Sequence, residues 1–305
     1  MAGAADNTEL ISKILRLKEK RNAVILSHNY QRPEVQDIGD FVGDSLELSR
    51  KAAETDAAVI VFCGVHFMAE TASILSPGKT VLLPDAGSGC PMADMITADA
   101  LLKKKQEMPG VHVVCYVNSS AAVKAESEIC CTSANAVRVV ESVGPGEILF
   151  VPDQYLGYYV STQTGRPMEL WPGFCPTHLK IKPEDITSNK QRYPGSVALV
   201  HPECRPEVTA VADHVLSTGG MLKFAGQTEA KILIIATEVG ILHRLRKENP
   251  GKTFIPATAK ALCPNMKKIT LEKVLWALED MQPEIKVPEE IRVRAKTAVD
   301  RMLAA

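Results

Sequence analysis

The sequence predicts an α/β protein made of three homologous three-layer α/β domains, Rossmann-like with short parallel sheets, around a pseudo-threefold axis. Two observations support this fold class. Short apolar strands alternate with helical stretches along the 305-residue chain, which is typical of parallel sheets with right-handed crossovers. The same series of elements also occurs three times, and each copy ends in a Cys-Pro dipeptide.

Each copy opens with an apolar strand that ends in two polar residues spaced one position apart. The pairs are His28 with Tyr30, Tyr116 with Asn118, and His201 with Glu203. Their first members, at positions 28, 116 and 201, are separated by 88 and 85 residues. Side chains two positions apart on a strand project from the same face. Each pair is therefore expected to point in one direction from the carboxyl end of its strand.

A hydroxyl-bearing element follows each of these strands. Ser45, Ser133 and Thr218 each stand 17 residues after the first polar residue of their copy. Their hydroxyl groups, like the amide of Asn118, are suited to holding carboxylate or phosphate oxygens. Ser217 and Thr218 precede two glycines, as in phosphate-binding turns, although an ordinary helix cap gives the same pattern.

The rest of each copy consists of a second buried strand, a helical stretch, a glycine-containing turn and a third short strand. Each copy then closes on its Cys-Pro dipeptide, at Cys90, Cys175 and Cys263. The repeat predicts three domains, at residues 1–95, 96–182 and 183–279. The C-terminal helix, within residues 280–305, is expected to pack back on the first domain.

The three Cys-Pro cysteines hold equivalent positions at strand ends, where ligands bind in parallel sheets. Zinc would accept three sulfurs and a water molecule, and a [4Fe–4S] cluster would accept three cysteines and leave one iron free for substrate. The sequence has no C-x-x-C pair, which excludes zinc-ribbon and ferredoxin patterns. The spacing of the cysteines does not distinguish an iron–sulfur cluster from a zinc ion. The other five of the eight cysteines read mainly as ordinary buried residues.

The polar strand ends also carry groups that move protons. Tyr30 and His201 could donate or accept a proton, and Glu203 could act as a general base. An open iron or zinc would act as a Lewis acid on a hydroxyl or carboxylate oxygen. Two other classes of protein share these features: a non-enzymatic iron or redox sensor, and a zinc-dependent lyase or hydrolase. The sensor hypothesis also needs a helix-turn-helix or a basic recognition stretch, and the sequence has neither.

Composition and charge exclude several function classes. Hydrophobic residues make up 46% of the chain and charged residues 23%, with a formal net charge of −1. These values exclude a disordered chain and give no sign of a nucleic-acid or membrane partner. The first ten residues lack the apolar stretch of a secretory signal. A cytoplasmic location is expected, where thiols stay reduced and clustered cysteines favour metal binding or catalysis.

Short motifs along most of the chain resemble the quinolinate synthase A family. They are His28-Asn29-Tyr30-Gln31, Gly43-Asp44-Ser45, Gly64-Val65-His66-Phe67-Met68-Ala69-Glu70, Gly89-Cys90-Pro91-Met92-Ala93-Asp94, Tyr116-Val117-Asn118, His201-Pro202-Glu203-Cys204, Ser217-Thr218, Ala236-Thr237-Glu238 and Cys263-Pro264-Asn265-Met266. The resemblance implies three similar α/β domains around a pseudo-threefold axis, in agreement with the repeat.

The resemblance also implies a cofactor and a reaction. The cofactor is a [4Fe–4S] cluster held by Cys90, Cys175 and Cys263. The reaction condenses iminoaspartate (iminosuccinate) with dihydroxyacetone phosphate to quinolinate, with release of phosphate and two waters, in the de novo biosynthesis of NAD. An L-aspartate oxidase or dehydrogenase would supply the iminoaspartate. Some relatives have a C-x-x-C near the last cluster ligand, whereas Met266 stands there in this chain, so no disulfide control is expected.

Roles for individual residues follow from the same resemblance. Tyr30 and Glu203 would transfer protons, assisted by His201 and by His178, which lies three residues after Cys175. The residues that would contact the substrate carboxylates or phosphate are His28, Ser45, Tyr116, Asn118, Ser133, His201, Glu203, Ser217 and Thr218.

Overall fold

A computed structural model describes residues 2–305, with side chains from residue 7 onward. Position 1, where the predicted first domain begins, lies outside the described residues. The first repeat contains α1 (Ala2–Lys20), β1 (Ala23–His28), α2 (Pro33–Asp37), β2 (Phe41–Gly43), α3 (Ser45–Glu54), β3 (Val59–Cys63), α4 (His66–Leu75) and β4 (Thr80–Leu82).

The second and third repeats have the same order of elements. The second contains α5 (Ala98–Glu107), β5 (His112–Tyr116), α6 (Ala121–Ala125), β6 (Ile129–Cys131), α7 (Ala136–Ser142), β7 (Ile148–Val151), α8 (Gln154–Thr164) and β8 (Glu169–Leu170). The third contains α9 (Pro183–Arg192), β9 (Val197–Val200), α10 (Pro206–Thr209), β10 (His214–Val215), α11 (Thr218–Gln227), β11 (Ile232–Ala236), α12 (Ile241–Glu248) and β12 (Thr253–Pro256). Helices α13 (Leu271–Asp280) and α14 (Glu289–Ala304) follow.

Three four-stranded parallel sheets form within residues 2–305, and they share one strand order. The orders are β2-β1-β3-β4, β6-β5-β7-β8 and β10-β9-β11-β12. All of their strand pairs are parallel. The prediction of three α/β units with short parallel sheets is therefore confirmed. In each sheet the strand order reverses between the first and third strands, which is where open parallel sheets bind ligands.

Helices cover both faces of each sheet, so the central strands are apolar along their length. Strand β3, with the sequence Val-Ile-Val-Phe-Cys, is buried at all five positions. The first and second repeats share one continuous apolar core. The third repeat instead has two clusters of its own, one on each side of its sheet.

The last two helices return to the earlier repeats. Helix α13 packs against α1 and β3 of the first repeat. Helix α14 is the C-terminal helix that the sequence predicts to pack back on the first domain. It packs against α4 of the first repeat and against α6 and β6 of the second, where Nδ2 of Asn135 donates to the Met302 carbonyl at 3.0 Å. No helix among residues 2–305 is both long and apolar enough to cross a membrane.

Candidate functional site

The polar strand ends of all three repeats meet at one cavity of about 200 Å³. Thirteen of the fourteen site residues predicted from the sequence line it: His28, Tyr30, Ser45, Cys90, Tyr116, Asn118, Ser133, Cys175, His178, His201, Glu203, Thr218 and Cys263. Ser217 is absent from the lining. It is the N-cap residue of α11, and its hydroxyl accepts the Gly220 N–H at 3.1 Å.

The three Cys-Pro loops end in equivalent local structure. A short 3-10 turn begins three residues after each cysteine, at Ala93, His178 and Met266. The sulfur of Cys90 accepts backbone N–H groups of Ala93 and Met92, and that of Cys175 accepts the backbone N–H of His178. Such donors favour the thiolate form that binds metal.

All three cysteines are free thiols, as are the other five. Burial raises the pKa of the Cys90 thiol to about 12 and also raises the pKa of Cys175. A bound cation would reverse this shift, because metal coordination favours the deprotonated sulfur. The Cys175 thiol also belongs to a second set of side chains that could bind a metal ion. The ligand atoms of Cys175, His178 and Glu203 all lie within 4.8 Å of one another.

Glu203 is the central charged group of the cavity and is 3% exposed. The Tyr116 hydroxyl donates to Oε1 at 2.5 Å, and Nδ2 of Asn118 donates to the same oxygen at 3.5 Å. On the other side, Nδ1 of His178 lies 2.7 Å from Oε2. Burial opposes ionisation of Glu203, but His178, His201 and the Tyr116 hydrogen bond outweigh it and lower its pKa. The side chain is therefore a carboxylate at neutral pH.

His28 and His201 have matching environments. Nδ1 of His28 accepts the Tyr30 N–H at 3.1 Å, and Nδ1 of His201 accepts the Glu203 N–H at 3.3 Å. Burial lowers the pKa of each imidazole to about 3. Both rings are therefore neutral at pH 7 and carry their proton on Nε2. In His201 this nitrogen lies 3.2 Å from Oγ of Ser133.

A hydroxyl of the third repeat connects Tyr30 to His178. Oγ1 of Thr237, one residue beyond β11, lies 2.5 Å from the Tyr30 hydroxyl and 2.8 Å from Nε2 of His178. Burial and the nearby Glu203 raise the pKa of Tyr30, so the phenol keeps its proton. No role for Thr237 is predicted from the sequence. Its place directly after β11, at a strand end like the other site residues, was the available signal.

Two helices begin at the cavity with hydroxyl residues, since Ser45 is the first residue of α3 and Thr218 the first of α11. The Asp44 carboxylate caps α3 by accepting the N–H groups of Leu46 and Glu47, each at 3.0 Å. It also accepts the backbone N–H of Gly219, so the two helix N-termini lie side by side. A Cβ at position 219 would lie 2.6 Å from Oδ2 of Asp44; glycine permits this close approach.

The family model and the related proteins that match this chain all belong to one family. The family model described as quinolinate synthetase A protein matches residues 12–304. A quinolinate synthase of Dehalococcoides mccartyi is 62% identical over 296 residues, covering 97% of this chain and 98% of that protein. Quinolinate synthase of Geotalea uraniireducens is 57% identical, with 97% of each chain covered. Quinolinate synthase 1 of Methanosarcina acetivorans is 56% identical with the same coverage. The chain therefore belongs to the quinolinate synthase family.

Proposed function

We propose that this chain condenses iminoaspartate with dihydroxyacetone phosphate to form quinolinate, with release of phosphate and two waters. Atoms balance in this reaction without an oxidant or a reductant. The observation that carries the proposal is that one cavity collects the three Cys-Pro thiols and the polar strand ends of all three repeats. The family's curated relatives, which are named quinolinate synthases, support the same reaction.

Cys90, Cys175 and Cys263 would hold a [4Fe–4S] cluster. Two features fit this group: all three thiols are free and line the same cavity, and backbone N–H groups point at the sulfurs of Cys90 and Cys175, as is common for cluster ligands. When bound, a cluster with three cysteine ligands supplies a Lewis-acidic iron that assists loss of a hydroxyl group as water.

The hydroxyl and amide groups of the cavity would hold the anionic ends of the substrates. Ser45 and Thr218 begin helices whose N-terminal N–H groups favour negative charge. Ser133, Asn118 and the neutral His28 add donors on the other walls. Since both substrates are anions, several donors from different repeats would fix their orientation without any excess of positive charge on the chain as a whole.

Glu203 would act as the general base. It is ionised, buried and held by Tyr116, His178 and Asn118, so the carboxylate is fixed in one orientation. Tyr30 would act as a proton donor, because its pKa is raised and its hydroxyl stays protonated. His201 and His178 flank the carboxylate; their rings stack with centroids 4.6 Å apart. His178 would hold the Glu203 carboxylate in place, and the neutral His201 would donate a hydrogen bond from Nε2.

A zinc-dependent lyase or hydrolase is the second candidate. One observation favours it: Cys175, His178 and Glu203 place a thiol, an imidazole and a carboxylate within 4.8 Å of one another, which suits a single zinc ion. In that case Glu203 would be a ligand and would no longer be available as the base.

Metal analysis of anaerobically purified protein distinguishes the two. We expect brown protein with about four irons and four sulfides per chain. Quinolinate formation should require this iron and sulfide. Colourless protein that contains zinc and keeps full activity would overturn the proposal. A cytoplasmic location and supply of iminoaspartate by an L-aspartate oxidase or dehydrogenase form part of the same proposal.

A further inference from the structure

The segment Thr237–Glu238, directly after β11, is linked to Tyr30 twice: Thr237 contacts the Tyr30 phenol directly, and Glu238 pairs with Lys267, which donates to the Tyr30 carbonyl. We propose that this segment is a positioning element that fixes Tyr30 through its phenol and through its main-chain carbonyl. The inference rests on the proton-transfer role proposed for Tyr30. It adds to the site two buried residues, 1% and 0% exposed, that would act through Tyr30.

Thr237 fixes the phenol. Its hydroxyl has one proton to donate and lies between the Tyr30 hydroxyl and Nε2 of His178. On the other side of the ring, Nδ1 of His178 lies 2.7 Å from Oε2 of Glu203. Thr237 therefore bridges the Tyr30 phenol and the imidazole that lies against Glu203. One polar chain runs from the Tyr30 phenol to Glu203.

Glu238 fixes the carbonyl by way of Lys267. Oε1 of Glu238 lies 3.0 Å from Nζ of Lys267, and the same Nζ donates to the Tyr30 carbonyl. Glu238 also accepts the N–H of Cys263 at 3.1 Å and that of Gly240 at 2.7 Å. One buried carboxylate thus joins the turn that carries Tyr30 to the loop that carries a predicted cluster ligand.

The space around this ion pair is filled. A Cβ at position 240 would lie 2.6 Å from Nζ of Lys267, 2.7 Å from Oε2 of Glu238 and 2.8 Å from the Tyr30 carbonyl. The pair also lies where the first and third repeats meet, since Tyr30 follows β1 and Glu238 follows β11. Burying two charges costs free energy that a pair of apolar residues would not. A role in positioning Tyr30 accounts for the presence of these two charged residues despite that cost.

The test of the phenol contact uses two substitutions of one residue. Thr237→Val keeps the shape and removes the hydroxyl, and we expect kcat to fall about 10- to 100-fold with KM changed less than about threefold. Thr237→Ser keeps the hydroxyl and should restore most of the rate. Thr187→Val, at an exposed position on α9, is the matched control and should behave as the unsubstituted enzyme.

A double-mutant cycle separates positioning from general structural support. If Thr237 acts through the Tyr30 hydroxyl, Thr237→Val should add little in a Tyr30→Phe background, both in single-turnover quinolinate formation and in the Kd for quinolinate. Independent, additive losses in both measurements would overturn the inference. Wild-type rates in Thr237→Val together with a large loss in Tyr30→Phe would also overturn it while leaving the proposed function intact. Wild-type rates in Tyr30→Phe would count against the proton-transfer role itself.

The carbonyl contact is tested with the pair Glu238→Gln/Lys267→Met, which removes both charges together and so avoids leaving one buried charge alone. We expect a folded, iron-loaded enzyme with kcat reduced about tenfold and an altered visible spectrum, because the Cys263 N–H loses its carboxylate acceptor. Lys260→Met, at an exposed position, is the control. Unchanged kcat and spectrum in the double variant would overturn this half of the inference, and so would a variant that loads no iron.

Discussion

Nδ1 of His178 lies 2.7 Å from Oε2 of Glu203, and both side chains are almost fully buried. His178 follows the cysteine loop of the second repeat, whereas Glu203 follows the first strand of the third. The contact therefore joins two repeats inside the cavity. It also holds the carboxylate in its ionised form, which a general base requires.

Glu203→Gln is expected to remove most of the activity without unfolding the protein. Glutamine keeps the size of the side chain and can still accept the Tyr116 hydrogen bond, but it cannot take up a proton. A loss of about 10²- to 10⁴-fold in kcat is expected, measured as quinolinate formed per enzyme. Glu207→Gln, which removes an exposed carboxylate on α10, should have no effect. Activity within about threefold of the unsubstituted enzyme in Glu203→Gln would rule out Glu203 as the base.

Cys175→Ala should abolish both the brown colour and quinolinate formation, since two cysteines would remain to hold the cluster. Iron content and the visible absorption of anaerobically purified protein are the measurements. Cys63→Ala is the matched control, because Cys63 is a fully buried residue of β3 and lies outside the cavity lining. It should lose some stability and keep its iron. A fully loaded Cys175→Ala protein would contradict the ligand assignment.

Ser217 and Thr218 are adjacent but should respond differently to substitution. Ser217→Ala removes the N-cap of α11 and should lower the free energy of unfolding by about 1 kcal/mol, with little change in KM. Thr218→Val removes a cavity hydroxyl and should raise the KM of the phosphate-bearing substrate about tenfold. Urea unfolding and steady-state kinetics on both variants provide the comparison. Equal effects on KM would show that the hydroxyl of Thr218 has no special role.

Gly219→Ala should weaken both folding and substrate binding. Its Cβ would lie 2.6 Å from Oδ2 of Asp44, which forces apart the two helix N-termini at the cavity. We expect destabilisation of about 1–3 kcal/mol and a raised KM. Gly226→Ala in the same helix has no atom within 4 Å of its Cβ and should instead stabilise the protein by about 0.5–1 kcal/mol. Thermal unfolding of the two variants tests this difference in sign.

Mild acid should destabilise the cluster-free protein through its buried histidines. Burial lowers the pKa of His28 to about 3 from an ordinary value of 6.5. Between these values the unfolded state binds a proton that the folded state does not, so the free energy of unfolding falls as pH falls. From pH 7 to pH 5 the contribution of His28 is about 2 kcal/mol.

Urea unfolding of His28→Gln tests this pH dependence. The difference in unfolding free energy between pH 7 and pH 5 should shrink by about 2 kcal/mol relative to the unsubstituted protein. His66→Gln, at a half-exposed position, serves as the comparison and should retain the full difference. An unchanged pH dependence in His28→Gln would mean that the ring is already charged in the folded state.

Much of the fold could be read from the sequence because its signals are local and repeated. Parallel strands buried on both faces require apolar runs, and the equal spacing of the strand ends at positions 28, 116 and 201 indicated three copies. The spacing also identified twelve of the residues that line the cavity, and the family resemblance added His178. The sequence could not show that Ser217 caps a helix whereas Thr218 lines the cavity. Both residues carry a hydroxyl, and their roles differ only because α11 begins between them.

The sequence by itself determined the three α/β repeats and the residues at the carboxyl ends of their strands. Periodic burial and strand-end chemistry depend on residues close together in the chain. Only the tertiary structure decided which groups touch across repeats. Thr237 with Tyr30 and Glu238 with Lys267 are contacts between segments far apart in the chain or on separate loops. Their geometry follows from how three sheets pack, and no local pattern encodes it.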